Sequence, residues 1–187
     1  MRTQIGEPAV VRRQDLKSMT EQSGLDLTRL GTIVLEKTKL MRETLSTVLR
    51  GLGIRDVRAA HSADEAFRLF LDRPADLIFT DWCPGLNGLA FLEEVRHNTR
   101  SPNPCVPVVI VSANTELRHI YKAINSGTNE YLAKPFSATG VYKHIHTIAT
   151  KDRPFVRLGS FFGPDRRRRR AGFNGDERRV HLAAVSF

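Results

Sequence analysis

The chain has 187 residues, of which 41% are hydrophobic and 26% charged, a balance that excludes fibrous, disordered and membrane-embedded classes. That length suits one domain of ordinary size with extensions and is short for two. The net charge of +9 is uneven: residues 151–187 carry 10 basic and 4 acidic groups, residues 30–150 carry 14 and 12, and residues 1–29 carry 5 and 4. The basic pI therefore describes a tail and says little about the domain. No run approaches the roughly 18 apolar residues needed to span a bilayer, and the N-terminal "MRTQIGEPAVVRRQDLKSM" has no signal-peptide core. Cys83 and Cys105 are not spaced as a metal or redox motif, the usage expected in a reducing cytoplasm. A cytoplasmic location without membrane contact is expected.

From Leu30 onward, short apolar runs alternate with amphipathic ones. Leu30–Leu35 reads as a strand and Lys39–Leu52 as a helix, with Leu40, Met41, Leu45, Val48 and Leu49 at helical spacing. Val57–Ala60 is a short second strand. Ser62 followed by Glu65 predicts a capping box opening a helix through Leu71. Asp76–Asp81, "DLIFTD", is a third strand, and a helix starts near Gly88. Val106–Ala113, "VPVVIVSA", is a β-branched fourth strand. Asn114 is placed to cap a helix through Asn125, with Gly127 as its left-handed terminator. "EYLAKP" is a fifth strand, and Ala138–Ala149 a last helix. Residues 1–29 form an extension with at most one helix, around Arg13–Gln22. Residues 151–187 form a basic tail, rich in Gly, Pro and Arg and expected to be mostly irregular.

Five strands alternating with five helices over residues 30–150 define an α/β fold: a doubly wound, five-stranded parallel sheet covered on both faces. In such sheets ligands bind at the strands' C-terminal ends, beside a topological switch point. Those ends present Glu36–Lys37, Asp81, Ser112 and Lys134–Pro135. Carboxylates there suit a hard cation such as Mg²⁺. A lone carboxylate beside a hydroxyl and a lysine can act as a nucleophile toward a phosphoryl group, whose oxygens the hydroxyl and lysine then hold. Taken singly, Asp81 would be an ordinary turn residue, Ser112 a common strand end, and Glu36 a helix-start acid paired with Lys39. Only their joint order lifts them above that reading.

The motifs "DLIFTDW" with "PGLNG", "PVVIVSA" and "GTNEYLAKPF" resemble the receiver domain of bacterial two-component response regulators, of the stand-alone chemotaxis type. The resemblance covers about two-thirds of the chain and implies a flavodoxin-like fold. It further implies Asp81 as phospho-acceptor, Ser112 as switch hydroxyl, Lys134 as phosphate-binding lysine, a cis bond before Pro135, and Tyr131 as the switch aromatic. Mg²⁺ would be held by Glu36, Asp81 and a backbone carbonyl near Cys83. "FSATGVY", Phe136–Tyr142, also resembles a signature of some alphaproteobacterial single-domain receivers. The implied partners are a histidine kinase or phosphotransfer protein and a downstream protein target read through a Tyr121–Tyr142 face, with a homodimer as an option. No enzymatic output is implied.

Two departures strike the metal corner. The family usually has two adjacent acids after its first strand, and the second is here Lys37. The loop after Asp81 is one residue short, with proline at Pro84. Lys37 either salt-bridges Asp81 and replaces the metal, giving a phosphorylation-independent pseudo-receiver, or turns to solvent and leaves a weak Mg²⁺ site. Arg166–Arg170 offers nucleic-acid contact as a weaker alternative. However, 37 residues are too few for a helix-turn-helix, and arginines among Phe155, Phe161, Phe162 and Phe173 equally suit docking on a protein or back onto this domain. His97, His119, His144 and His146 show no metal-like clustering.

Overall fold

Runs of consecutive apolar residues become central strands, because a parallel strand covered on both sides has no solvent face to satisfy. The computed structural model describes residues 24–151, 153–166 and 180–182. β1 (Gly31–Leu35), β3 (Leu77–Asp81) and β4 (Val108–Ser112) are buried at every position. β2 (Asp56–Ala60) and β5 (Glu130–Ala133) are the half-exposed edges. All pairings are parallel, in the order β2-β1-β3-β4-β5. The chain thus reverses direction across the sheet between β1 and β3.

The helices are α1 (Lys39–Gly51), α2 (Ala63–Asp72), α3 (Gly88–His97), α4 (Leu117–Asn125) and α5 (Ala138–Thr150). Leu45 and Leu49 of α1 and Val141 and Ile145 of α5 cover one face of the sheet, on Val34, Phe79, Val109 and Val111. Phe67 and Phe70 of α2, Leu92 and Val95 of α3, and Ala123 of α4 cover the other, on Ile33, Ile78 and Ile110. Fully burying each of these side chains other than Ala123 contributes about 1.5–3 kcal/mol.

Local chemistry sets the helix starts. The Ser62 hydroxyl accepts from Glu65 N, while Glu65 Oε2 reaches back to His61 N rather than to the cap's own amide, a variant of the predicted box. Asn87 caps α3 through Ala90 N. Asn114 does not cap α4. The helix starts three residues later behind Glu116, and Asn114 Oδ1 instead accepts from Glu116 N within the preceding loop. Gly127 has φ +88, the left-handed position expected.

The stretch after α5 departs from the expected irregular tail. β6 (Phe155–Leu158) and β7 (Phe161–Pro164) form an antiparallel hairpin, and β6 also pairs with β8 (Val180–Leu182). Phe155, Val156 and Phe162 are buried. They pack where Arg96, wholly buried on α3, donates to Pro104 O, Val106 O, Gly127 O and Asn129 Oδ1. Burial lowers the Arg96 pKa to about 9, so it remains charged at neutral pH. Its guanidinium lies 4.9 Å from the Phe155 ring centroid. The hairpin therefore sits at the N-terminal pole of the sheet. The proposed Arg13–Gln22 helix, Phe173 and Arg167–Arg170 lie outside the described residues. Among the described residues no helix is long and apolar enough to cross a membrane.

Candidate functional site

Main-chain bonds of the sheet fix the site residues. Glu36 N donates to Ala60 O at 3.1 Å, Trp82 N to Val111 O at 3.1 Å, and Lys134 N to Ser112 O at 2.8 Å. Side chains following β1, β3 and β5 thereby meet at the C-terminal end of the sheet, at the switch point. Gly88, at the start of α3, is pressed against Asp81. A Cβ there would collide with the Asp81 carbonyl and lie 2.9 Å from Thr80 Oγ1. Only glycine permits that approach.

Asp81 and Glu36 are 2% and 4% exposed. Lys134, entering beside the cis Lys134–Pro135 bond, places Nζ 2.8 Å from Asp81 Oδ1 and 2.5 Å from Glu36 Oε2. Burial alone would pull the lysine pKa down, but the hydrogen bonds and charges of Asp81 and Glu36 outweigh it and the net shift is upward. Glu36 Oε1 also accepts from Thr38 N at 2.8 Å. Glu36 is therefore not the exposed helix-start acid of the simpler reading. Lys39 pairs with Glu43 instead, at 3.9 Å.

Ser112 Oγ donates to Trp82 O at 2.9 Å and accepts from Asn114 N at 3.2 Å. The Tyr131 hydroxyl donates to Asn114 O. Both switch candidates thus hold the strand ends around Asp81 through main-chain carbonyls. Tyr121 is 61% exposed but Tyr142 only 6%. Tyr142 lies inside the α1–α5 layer of the core, so the expected Tyr121–Tyr142 face is not one surface. The exposed apolar groups of this region are Leu117 and Tyr121, both on α4.

Lys37 takes the second of the two courses its sequence position left open, since the residue is exposed. It forms no ion pair with Asp81 among the described residues, and its chain folds over the loop after β3. A Cβ built on Gly85 would lie 2.7 Å from Lys37 Nζ. That loop closes as a tight turn, with Cys83 N donating to Leu86 O and Leu86 N to Cys83 O at 3.0 Å. Sequence reasoning missed the Cys83 thiol, which hydrogen-bonds Asp81. Burial first, then that bond and the charges of Asp81 and Glu36, raise its pKa to about 11. Nothing in spacing alone places a thiol beside Asp81.

Whether these donors fit Mg²⁺ follows from their chemistry. Two buried carboxylates and the second lone pair of the Cys83 carbonyl are hard oxygen ligands of the right kind. They are few, and among the described residues no three His, Cys, Asp or Glu groups are placed to hold an ion together. The fit is to an ion that keeps much of its water.

The response regulator receiver domain family matches residues 32–146. The chain is 29% identical over 117 residues to the chemotaxis protein CheY of Pseudomonas aeruginosa, covering 62% of this chain and 93% of that one. A Francisella response regulator receiver domain superposes with a TM-score of 0.55 at 28% identity, over 66% of this chain and all of its own. The receiver domain of the Arabidopsis thaliana histidine kinase CKI1, solved with Mg²⁺ and BeF₃⁻, superposes with a TM-score of 0.55 at 21% identity, over 64% of this chain and 91% of its own. This protein belongs to the response regulator receiver family, and its place is in phosphorelay signalling.

Proposed function

We propose that Asp81 is the phospho-acceptor, loaded by a histidine kinase or phosphotransfer protein, and that the modified domain signals through protein contacts made around α4. The observation that carries this reading is the convergence of Asp81, Lys134 and Ser112 at the switch point of the sheet. One Asp81 oxygen attacks phosphorus as the bond to the donor's imidazole nitrogen breaks, and the imidazole keeps the electron pair. Lys134 is placed to hold the transferred group's oxygens, since its ammonium already rests on Asp81. Ser112 gives up Trp82 O to reach the same group. Glu36, Asp81 and the Cys83 carbonyl would hold Mg²⁺, which when bound offsets charge on the phosphoryl oxygens.

The pseudo-receiver alternative needs Lys37 on Asp81, and the position of Lys37 over Gly85 does not favour it. The test is intact mass after incubation with acetyl phosphate, with and without Mg²⁺. One phosphoryl adduct is expected, dependent on Mg²⁺ and absent in Asp81→Asn. An adduct that persists in Asp81→Asn, or none under any condition, overturns the assignment.

A further inference from the structure

α4 is held at both ends but hardly in the middle, since only Ala123 of its nine residues is fully buried. Its N-terminal end leans on the residue after the acceptor. The His119 and Trp82 rings lie 5.2 Å apart, Lys122 Nζ is 5.8 Å from the Trp82 ring centroid, and Asn114, which receives the Tyr131 hydroxyl, contacts His119 Nε2 at 3.2 Å. Its C-terminal end is held by the hairpin. Arg166, stacked 4.0 Å from the Phe161 ring centroid, donates to Asn125 Oδ1 at 2.5 Å.

Just beyond Asn125, Gly127 and Gly163 meet backbone to backbone. A Cβ on Gly163 would lie 2.5 Å from Gly127 Cα. Arg153 Nη1 adds a bond to Asn129 O at 3.2 Å. A nine-residue helix spans roughly 13 Å, so one short, weakly anchored rod joins the acceptor pocket to the hairpin.

We propose that the β6–β7 hairpin is a built-in partner of α4, and that its docking and the state of the Asp81 pocket are linked through that helix. Such linkage is reciprocal: whatever shifts one end must change the affinity of the other by the same factor. A modification of Asp81 that moves α4 therefore changes how firmly the hairpin docks. Only this last consequence rests on the phospho-acceptor reading.

The first arm needs no phosphorylation. Gly163→Ala places a methyl against the Gly127 backbone, and Arg166→Ala removes the Asn125 bond without touching the core. Hydrogen exchange of 155–164 and of 117–125, together with fluorescence of the single tryptophan, Trp82, reads the two ends. In both variants hairpin amides should exchange at least tenfold faster and α4 amides at least threefold faster, with a shift in Trp82 emission. Leu158→Ala, on the exposed strand end, should change neither.

Faster hairpin exchange with α4 and Trp82 unchanged overturns the linkage, and unchanged hairpin exchange overturns the seat itself. Should Gly163→Ala fail to fold, Arg166→Ala decides by the same criteria. In the second arm the wild-type protein carries a phosphoryl adduct counted by mass, and hairpin exchange should change at least threefold. An adduct without that change refutes the linkage. No adduct refutes the acceptor assignment and leaves the first arm to decide.

Discussion

Lys134 Nζ rests 2.8 Å from Asp81 Oδ1, and the same ammonium reaches Glu36 Oε2 at 2.5 Å. One cation therefore compensates two buried carboxylates that would otherwise face each other unpaired. Lys134→Met should lower unfolding stability by about 3 kcal/mol, the cost of stranding buried charge, and abolish uptake from acetyl phosphate. Urea denaturation and intact mass check the two effects separately.

The same contact sets a pH dependence. The pKa of Lys134 is raised in the folded state. Its stabilising contribution is thus complete below the unfolded value of about 10.4 and is lost as pH rises through the higher folded value. Wild-type stability should fall across that alkaline window more steeply than that of Lys134→Met. Urea midpoints measured from pH 8 upward test the difference.

Lys37→Asp should restore an acid at the position where a cation now lies against the β3–α3 loop. Divalent affinity should rise at least tenfold, since both the added carboxylate and the removed ammonium favour the ion. Titration of Trp82 fluorescence with Mg²⁺ gives the measurement. Equal affinity in the two proteins would show that the tight Cys83–Leu86 turn, rather than Lys37, limits binding.

Cys83 should be a slow nucleophile. With its pKa raised to about 11, alkylation at pH 8 should run on the order of a hundredfold slower than for a free cysteine, because the thiolate is the reactive form. Asp81→Asn removes a negative neighbour and exchanges a carboxylate acceptor for a weaker amide oxygen, so labelling should accelerate. Peptide mapping separates Cys83 from Cys105.

Arg96→Met keeps the apolar stem and deletes the guanidinium, leaving Pro104 O, Val106 O and Gly127 O without their donor. A loss of at least about 3 kcal/mol is expected from stranding those carbonyls. Urea denaturation and exchange of the 155–164 amides should report it together.

The central strands and the site were legible for the same reason. β1, β3 and β4 are buried at every position and largely apolar, and Glu36, Asp81, Ser112 and, after β5, Lys134 stand just where parallel strands end. Periodicity reads such patterns well. It reads α4 poorly, because Asn114, an apparent cap, uses its side chain in a turn and its carbonyl for Tyr131. Lys37 was ambiguous because a flexible four-carbon stem can reach several places from one Cα. The hairpin was hidden because Gly159, Gly163 and Pro164 look like loop residues, although they supply its turn, its close packing and its last strand position. Arg96 gave no signal at all, since its partners are main-chain carbonyls, which any residue carries.

The close seat of Gly163 on Gly127 moves the boundary of what folds together. The family match ends at residue 146, yet Phe155, Val156 and Phe162 are as buried as the sheet. A polypeptide trimmed to the family boundary would bare the Arg96 joint and the end of α4, and would melt as a different, weaker cooperative unit. Kinetics measured on such a fragment would describe the fragment.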